Sequence, residues 1–197
     1  MIFMNLFYEE YPNSVFIHGK SVPIVTDFRE YIKLLDMLKD TELSSEDKLC
    51  ILSMYFLEPP SDKETAIKAL SGFIAMQGVP LAGRQQRDLA DEENGQSVER
   101  KADVFSFSID YPYILAGFLR DYRIDLATVK YLHWWKFRML FDGLSEDTEI
   151  KQRIMYRSVD LSAIQNKEER KRIRKIQKSI ELPQEALTDY EIGNAFM

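Results

Sequence analysis

Tyr131-Leu132-His133-Trp134-Trp135-Lys136-Phe137-Arg138-Met139-Leu140-Phe141 is the stretch on which the fold turns. Read as a helix, it places aromatic and aliphatic side chains on nearly every side, and Lys136 and Arg138 interrupt them only briefly. A helix that is apolar all round is either the centre of a core or a surface shared with a partner. In the first case the other elements pack around it. In the second, Tyr131, Trp134, Trp135 and Arg138 have the chemistry of an interface hot spot. Asp125 reads as the cap of this helix, which then runs from Leu126 to Phe141 and stops at Gly143.

Working outward, Val104-Phe105-Ser106-Phe107-Ser108-Ile109 alternates and reads as a short strand. Pro112 suits a helix start, and Ile114, Leu115, Phe118 and Leu119 follow it at helical spacing. Beyond Gly143, Ser145 reads as the cap of a helix holding Ile150, Ile154 and Met155. Asn166 and Glu169 open the next, which carries Ile173, Ile176 and Ile180 and is stopped by Pro183.

Towards the N-terminus, residues 79–101 hold few apolar side chains and many of both charges, which reads as a polar linker. Before it, Ser14–Ile17 and Ser21–Val25 flank His18-Gly19-Lys20 in the pattern of a β-hairpin, with Gly19 supplying the positive φ of the turn. Asp27, Ser44 or Ser45, and Ser61 then start three amphipathic helices, the second ending at Pro59-Pro60. The expected architecture is mainly α. An N-terminal β-hairpin packs on a multi-helix bundle, and a polar linker joins two helical lobes. The divisions fall at 1–78, 79–101, 102–182 and a tail, 183–197.

With 12 Phe, 10 Tyr and 2 Trp, the 197-residue chain has ample material for a core. The net charge of −6 gives no overall attraction for a polyanion. One cysteine, Cys50, excludes an internal disulfide and suits a reducing compartment. The first residues do not read as a signal peptide, and no run of 18 apolar residues occurs, so no membrane association is expected.

The chemistry-bearing residues are sparse. His18 falls in the hairpin turn and His133 inside the aromatic helix, and neither has a second histidine or a cysteine at metal-ligand spacing. Cys50, between Leu49 and Ile51, reads as a small buried hydrophobe. There is no phosphate-binding glycine loop, no dinucleotide fingerprint and no nucleophile elbow. The expectation is a non-enzymatic protein without metal or cofactor.

One segment carries concentrated charge. Residues 167–178 hold seven basic and two acidic residues, and Ile173, Ile176 and Ile180 form a single apolar stripe beside them. Arg170, Lys171 and Arg174 are its partner-binding candidates. The pattern suits nucleic acid or an acidic partner, and the favoured reading is a solvated face whose cations suit a helix C-terminus.

Tyr131-Leu132-His133-Trp134-Trp135-Lys136-Phe137, Gly143-Leu144-Ser145-Glu146-Asp147-Thr148 and Tyr156-Arg157-Ser158-Val159-Asp160-Leu161-Ser162 together resemble a family from the tail module of phages and prophages of Gram-positive bacteria. Ile17-His18-Gly19-Lys20, Thr26-Asp27-Phe28-Arg29 and Ile124-Asp125-Leu126 extend the resemblance over most of residues 14–182. Genes of that family lie beside the tape-measure gene. The resemblance implies a tail assembly chaperone that binds the tape-measure protein in the host bacterial cytoplasm, with possible self-association and no catalytic residues. A structural or tail-completion component of the virion is the first alternative, and a nucleic-acid-associated regulator using 167–178 the second.

Overall fold

The computed structural model describes residues 5–77, 79 and 104–182. It opens on an antiparallel hairpin, β1 (Ser14–Ile17) and β2 (Lys20–Pro23), in which Val15 pairs with Val22 and Ile17 with Lys20. His18 and Gly19 form the two-residue turn with φ of 49° and 78°, the positive values that a tight, strand-twisting turn requires. Period-two alternation sends Val15 and Ile17 into the core and leaves Phe16 outside. Pro23 ends β2, where its missing N–H costs no ladder bond.

The chain leaving the hairpin forms a seam between the two halves of the sequence. Val25 N–H donates to Tyr55 O and Leu57 N–H to Pro23 O, each at 2.9 Å. One turn further on, Phe28 N–H donates to Leu132 O at 2.9 Å and Trp134 N–H to Thr26 O at 2.8 Å. Residues 23–28 thus hold both the stretch after the second helix and the stretch before the aromatic one.

Seven α-helices follow among the described residues: α1 (Phe28–Lys39), α2 (Ser45–Ser53), α3 (Lys63–Ile74), α4 (Tyr111–Tyr122), α5 (Trp134–Asp142), α6 (Glu149–Ser158) and α7 (Lys167–Ser179). A single 3-10 turn, Leu161–Ala163, precedes α7. Several caps are those the sequence indicates. Asp27 accepts from Arg29 N–H, Ser44 and Asp47 form a reciprocal capping box, and Asn166 accepts from Glu168 and Glu169 N–H.

Five local expectations are corrected. Asp125 caps only a turn, bonded to Ala127 and Thr128, and α5 begins at Trp134 with His133 as its N-cap. The helix cannot run through from Leu126, because Leu132 and Trp134 are drawn out to pair with Thr26 and Phe28. Val104–Ile109 is a turn, not a strand. Ser106 and Phe107 are buried in succession, and the Asp110 carboxylate takes up Ser106 N–H at 3.0 Å. The cap of α3 is Asp62, not Ser61, and α6 starts after Thr148, not Ser145, whose N–H is held by Asp121 at 2.8 Å. Cys50 is exposed.

Both lobes contribute to one apolar core. Phe137, fully buried, is its hub. Its ring lies 4.6 Å from that of Phe28 on α1, 5.3 Å from Phe118 on α4 and 5.7 Å from Phe107, centroid to centroid. Offset and tilted contacts of this kind add to the area term, which is about 2–3 kcal/mol for a fully buried large side chain. The polar segment expected at 79–101, apart from Val79, and the tail at 183–197 lie outside the described residues.

Candidate protein-binding surfaces

The aromatic helix takes the central of its two possible roles. Trp134, Trp135 and Arg138 are buried, and of the four candidates from this region only Tyr131 is exposed, where its hydroxyl pairs with Thr26 Oγ1 at 2.8 Å. Trp134 Nε1 donates to Ile74 O at 3.1 Å and Trp135 Nε1 to Phe73 O at 2.8 Å. The C-terminal carbonyls of a helix lack partners within it; here an indole from the other half of the chain serves Ile74 O, and a second joins the Met76 N–H on Phe73 O. The Arg138 guanidinium lies over the Trp134 ring, 5.4 Å from its centroid. Three of the four candidates therefore hold the fold together and offer no surface in it.

The two histidines are also accounted for. His133 Nδ1 accepts from Trp135 N–H at 3.0 Å while Nε2 donates to Pro12 O at 2.9 Å, so the ring is neutral and one tautomer is fixed. Burial holds its pKa below the ordinary histidine value, against the raising effect of the Pro12 bond. His18 Nε2 sits 3.1 Å from Asp62 Oδ2 and ties the hairpin turn to the cap of α3. The hydrogen bond from Thr65, followed by that from His18, keeps the Asp62 carboxyl below its usual range.

What the molecule does offer is an apolar cleft of about 550 Å³ between α2 and α3, lined by Leu49, Cys50, Phe56, Pro60, Ala66 and Ile67. It exists because α2 is short and buries only Leu52 of its own residues. The chain then returns to the hairpin through Tyr55 and Phe56, and the far side of α2 is left uncovered. Leu49, Met54 and Leu57 are exposed on or just after that helix, the last two by 72% and 65%. The carboxylates Glu46 and Glu64 also line the cleft, and neither histidine does. The exposure of α2 had no sequence signature, because its Leu49-Cys50-Ile51-Leu52 run looks like any buried turn of helix.

The model for the family described as Bacteriophage Gp15 protein matches residues 7–182. The chain belongs to that family. The match spans every element among the described residues, so the hairpin, the seam, α3 and the α2–α3 cleft all lie within the Gp15 family region. No curated protein and no solved structure matches the chain.

The second surface of this Gp15 family member is α7, which has no buried residue and presents Lys171 and Arg174 to solvent. Arg170 differs from them. Its Nε donates to Ile164 O at 2.9 Å and its Nη2 to the same oxygen, so it locks the turn into the helix. Gln177 Nε2 fixes the other end by donating to Tyr156 O and Val159 O at 2.9 and 2.8 Å. Among the described residues no helix is long and apolar enough to cross a membrane, and no group of three or more metal-ligating side chains is assembled.

Proposed function

We propose that this phage protein is a non-enzymatic tail assembly chaperone that binds the tape-measure protein in the host cytoplasm, with the α2–α3 cleft as the seat of the client. The observation that carries the reading is the apolar cleft, with Leu49 exposed in its lining and Met54 and Leu57 exposed next in sequence to its lining residues Ser53 and Phe56. A long helical client must keep its apolar stripes covered until the tail tube polymerises around it. A cleft between two helices accepts such a stripe as a helix in a groove, through anchors at i, i+3 or i+4, and i+7. Exposed methionine adapts to successive, non-identical turns of a client.

Glu46, Lys63 and Glu64 line the cleft with both signs of charge, and Glu64 is paired with Lys68 at 2.9 Å, so the apolar positions of the client carry the contact. Such binding is weak at each site and is reinforced when several copies line one client.

Co-expression tests the reading. With this protein present, the tape-measure protein of the same phage is expected in the soluble fraction and to co-purify with it. An unchanged soluble yield together with no co-purification overturns the proposal.

A further inference from the structure

The cations of α7 are arranged as well as abundant. Lys167, Lys171, Arg174 and Lys178 follow a 4-3-4 spacing that at 3.6 residues per turn keeps them within about 60° of arc. They stand on the side away from Ile173, Ile176 and Ile180, which are half-buried, and all four are exposed. Among the described residues none of the four is in an ion pair. The row is about 16 Å long at 1.5 Å per residue.

The helix dipole does not account for this row. It favours cations in the last turn, which covers Lys178, and acids in the first, which covers Glu168 and Glu169. Lys167 precedes those acids at the positive end, and Lys171 lies in the N-terminal half, where a cation gains nothing from the dipole. Like charges at i, i+3 and i, i+4 repel along the whole row. A helix that accepts this repulsion is matched to an opposite charge from outside.

We infer that the Lys167–Lys171–Arg174–Lys178 ridge docks an acidic helical segment of a protein partner, one whose carboxylates repeat at the same spacing along one face. The site lies on α7 and is separate from the α2–α3 cleft, so it stands or falls independently of the client reading. Nucleic acid fits less well. Residues 167–178 are strongly basic while the whole chain carries −6, so the remainder is strongly acidic and repels an extended polyanion. A short segment lying only along the ridge escapes most of that field. Nor does α7 carry any aromatic side chain on which a base could stack.

Fluorescence anisotropy on the full-length protein at low salt tests this with three labelled probes: an alanine-rich helical peptide with glutamates on one face at 4-3-4 spacing, a peptide of identical composition with the glutamates spread around the helix, and a short duplex DNA. The one-faced peptide is expected to bind about tenfold more tightly than the scattered one, and Lys171→Glu/Arg174→Glu/Lys178→Glu is expected to remove that advantage. Lys171→Gln/Arg174→Gln, checked for native helicity by circular dichroism, gives the same reading if the reversal impairs folding. Leu49→Asp is expected to leave peptide binding unchanged. Equal binding of the two peptides, tighter binding of the duplex, or indifference to the ridge variants overturns the inference.

Discussion

The Trp135 indole N–H donates to the carbonyl oxygen of Phe73 at 2.8 Å, joining the first turn of α5 to the last turn of α3 across 62 positions of sequence. Trp134 does the same for Ile74. The two bonds add donors to a helix end from the other half of the chain. Trp135→Phe keeps much of the apolar volume but leaves the Phe73 carbonyl with only the backbone N–H of Met76, at 3.1 Å. The expected loss is about 0.5–1.5 kcal/mol, read from the midpoint of urea denaturation at unchanged slope. Phe137→Ala, which empties the centre of the aromatic cluster, is expected to cost about 3–5 kcal/mol.

A second constraint lies at the base of α4. Arg157 donates to both carboxylate oxygens of Asp110, at 2.6 and 3.0 Å, and the two side chains are only 7% and 1% exposed. Arg157 also reaches Val104 O at 3.1 Å and Ile180 O at 2.7 Å. Removing one partner strands the other charge in the interior, so Asp110→Ala is expected to destabilise by about 3–5 kcal/mol. The double variant Asp110→Ala/Arg157→Met is expected to recover part of that loss, since it leaves no unpaired buried charge. Chemical denaturation of the three proteins side by side is the check.

Stability should decline with acid in a defined window. Burial lowers the His133 pKa from its ordinary 6.5, so the unfolded chain binds a proton at a pH where the fold still excludes it. Protonation of Nδ1 would also end its acceptance of the Trp135 N–H. The contribution of this group is complete above 6.5, falls as the pH drops below that value, and levels off beneath the folded pKa. His133→Asn retains an N-cap acceptor without a titrating ring, and the slope of denaturation midpoint against pH just below 6.5 is expected to flatten in that variant.

An assembly chaperone leaves before the particle is complete. Mass spectrometry of purified virions is expected to find the tape-measure and tube proteins and not this one. Its recovery at a fixed ratio to the tube subunit would favour a structural tail component.

The sequence carried its local signals well wherever a feature is decided by near neighbours. The His18-Gly19 turn, the Asp27, Ser44 and Asn166 caps, and the apolar stripe of α1 stand as their residues indicate, while the stripe of α4 holds at Ile114 and Phe118 and fails at Leu119, which is exposed. It misled where a distant strand decides. Asp125 looks like a helix cap and does open a turn, but Thr26 and Phe28, a hundred positions away, pull the following residues straight. On α7 accessibility was legible for Lys171 and Arg174 and not for Arg170, which turns in to Ile164 O. Trp134 and Trp135 have the composition of a hot spot and the location of a core. The cleft beside Cys50 was invisible, because it results from what fails to cover α2 and not from any motif within it.

The most direct test of the chaperone reading is co-purification of the tape-measure protein with wild type and with Leu49→Asp/Leu57→Asp, two changes at exposed positions, one in the lining of the cleft and the other next in sequence to its lining residue Phe56. The account expects a soluble complex with wild type. It expects the doubly substituted protein to lose most of that complex at an unchanged denaturation midpoint. Equal recovery of client by the two proteins would contradict it.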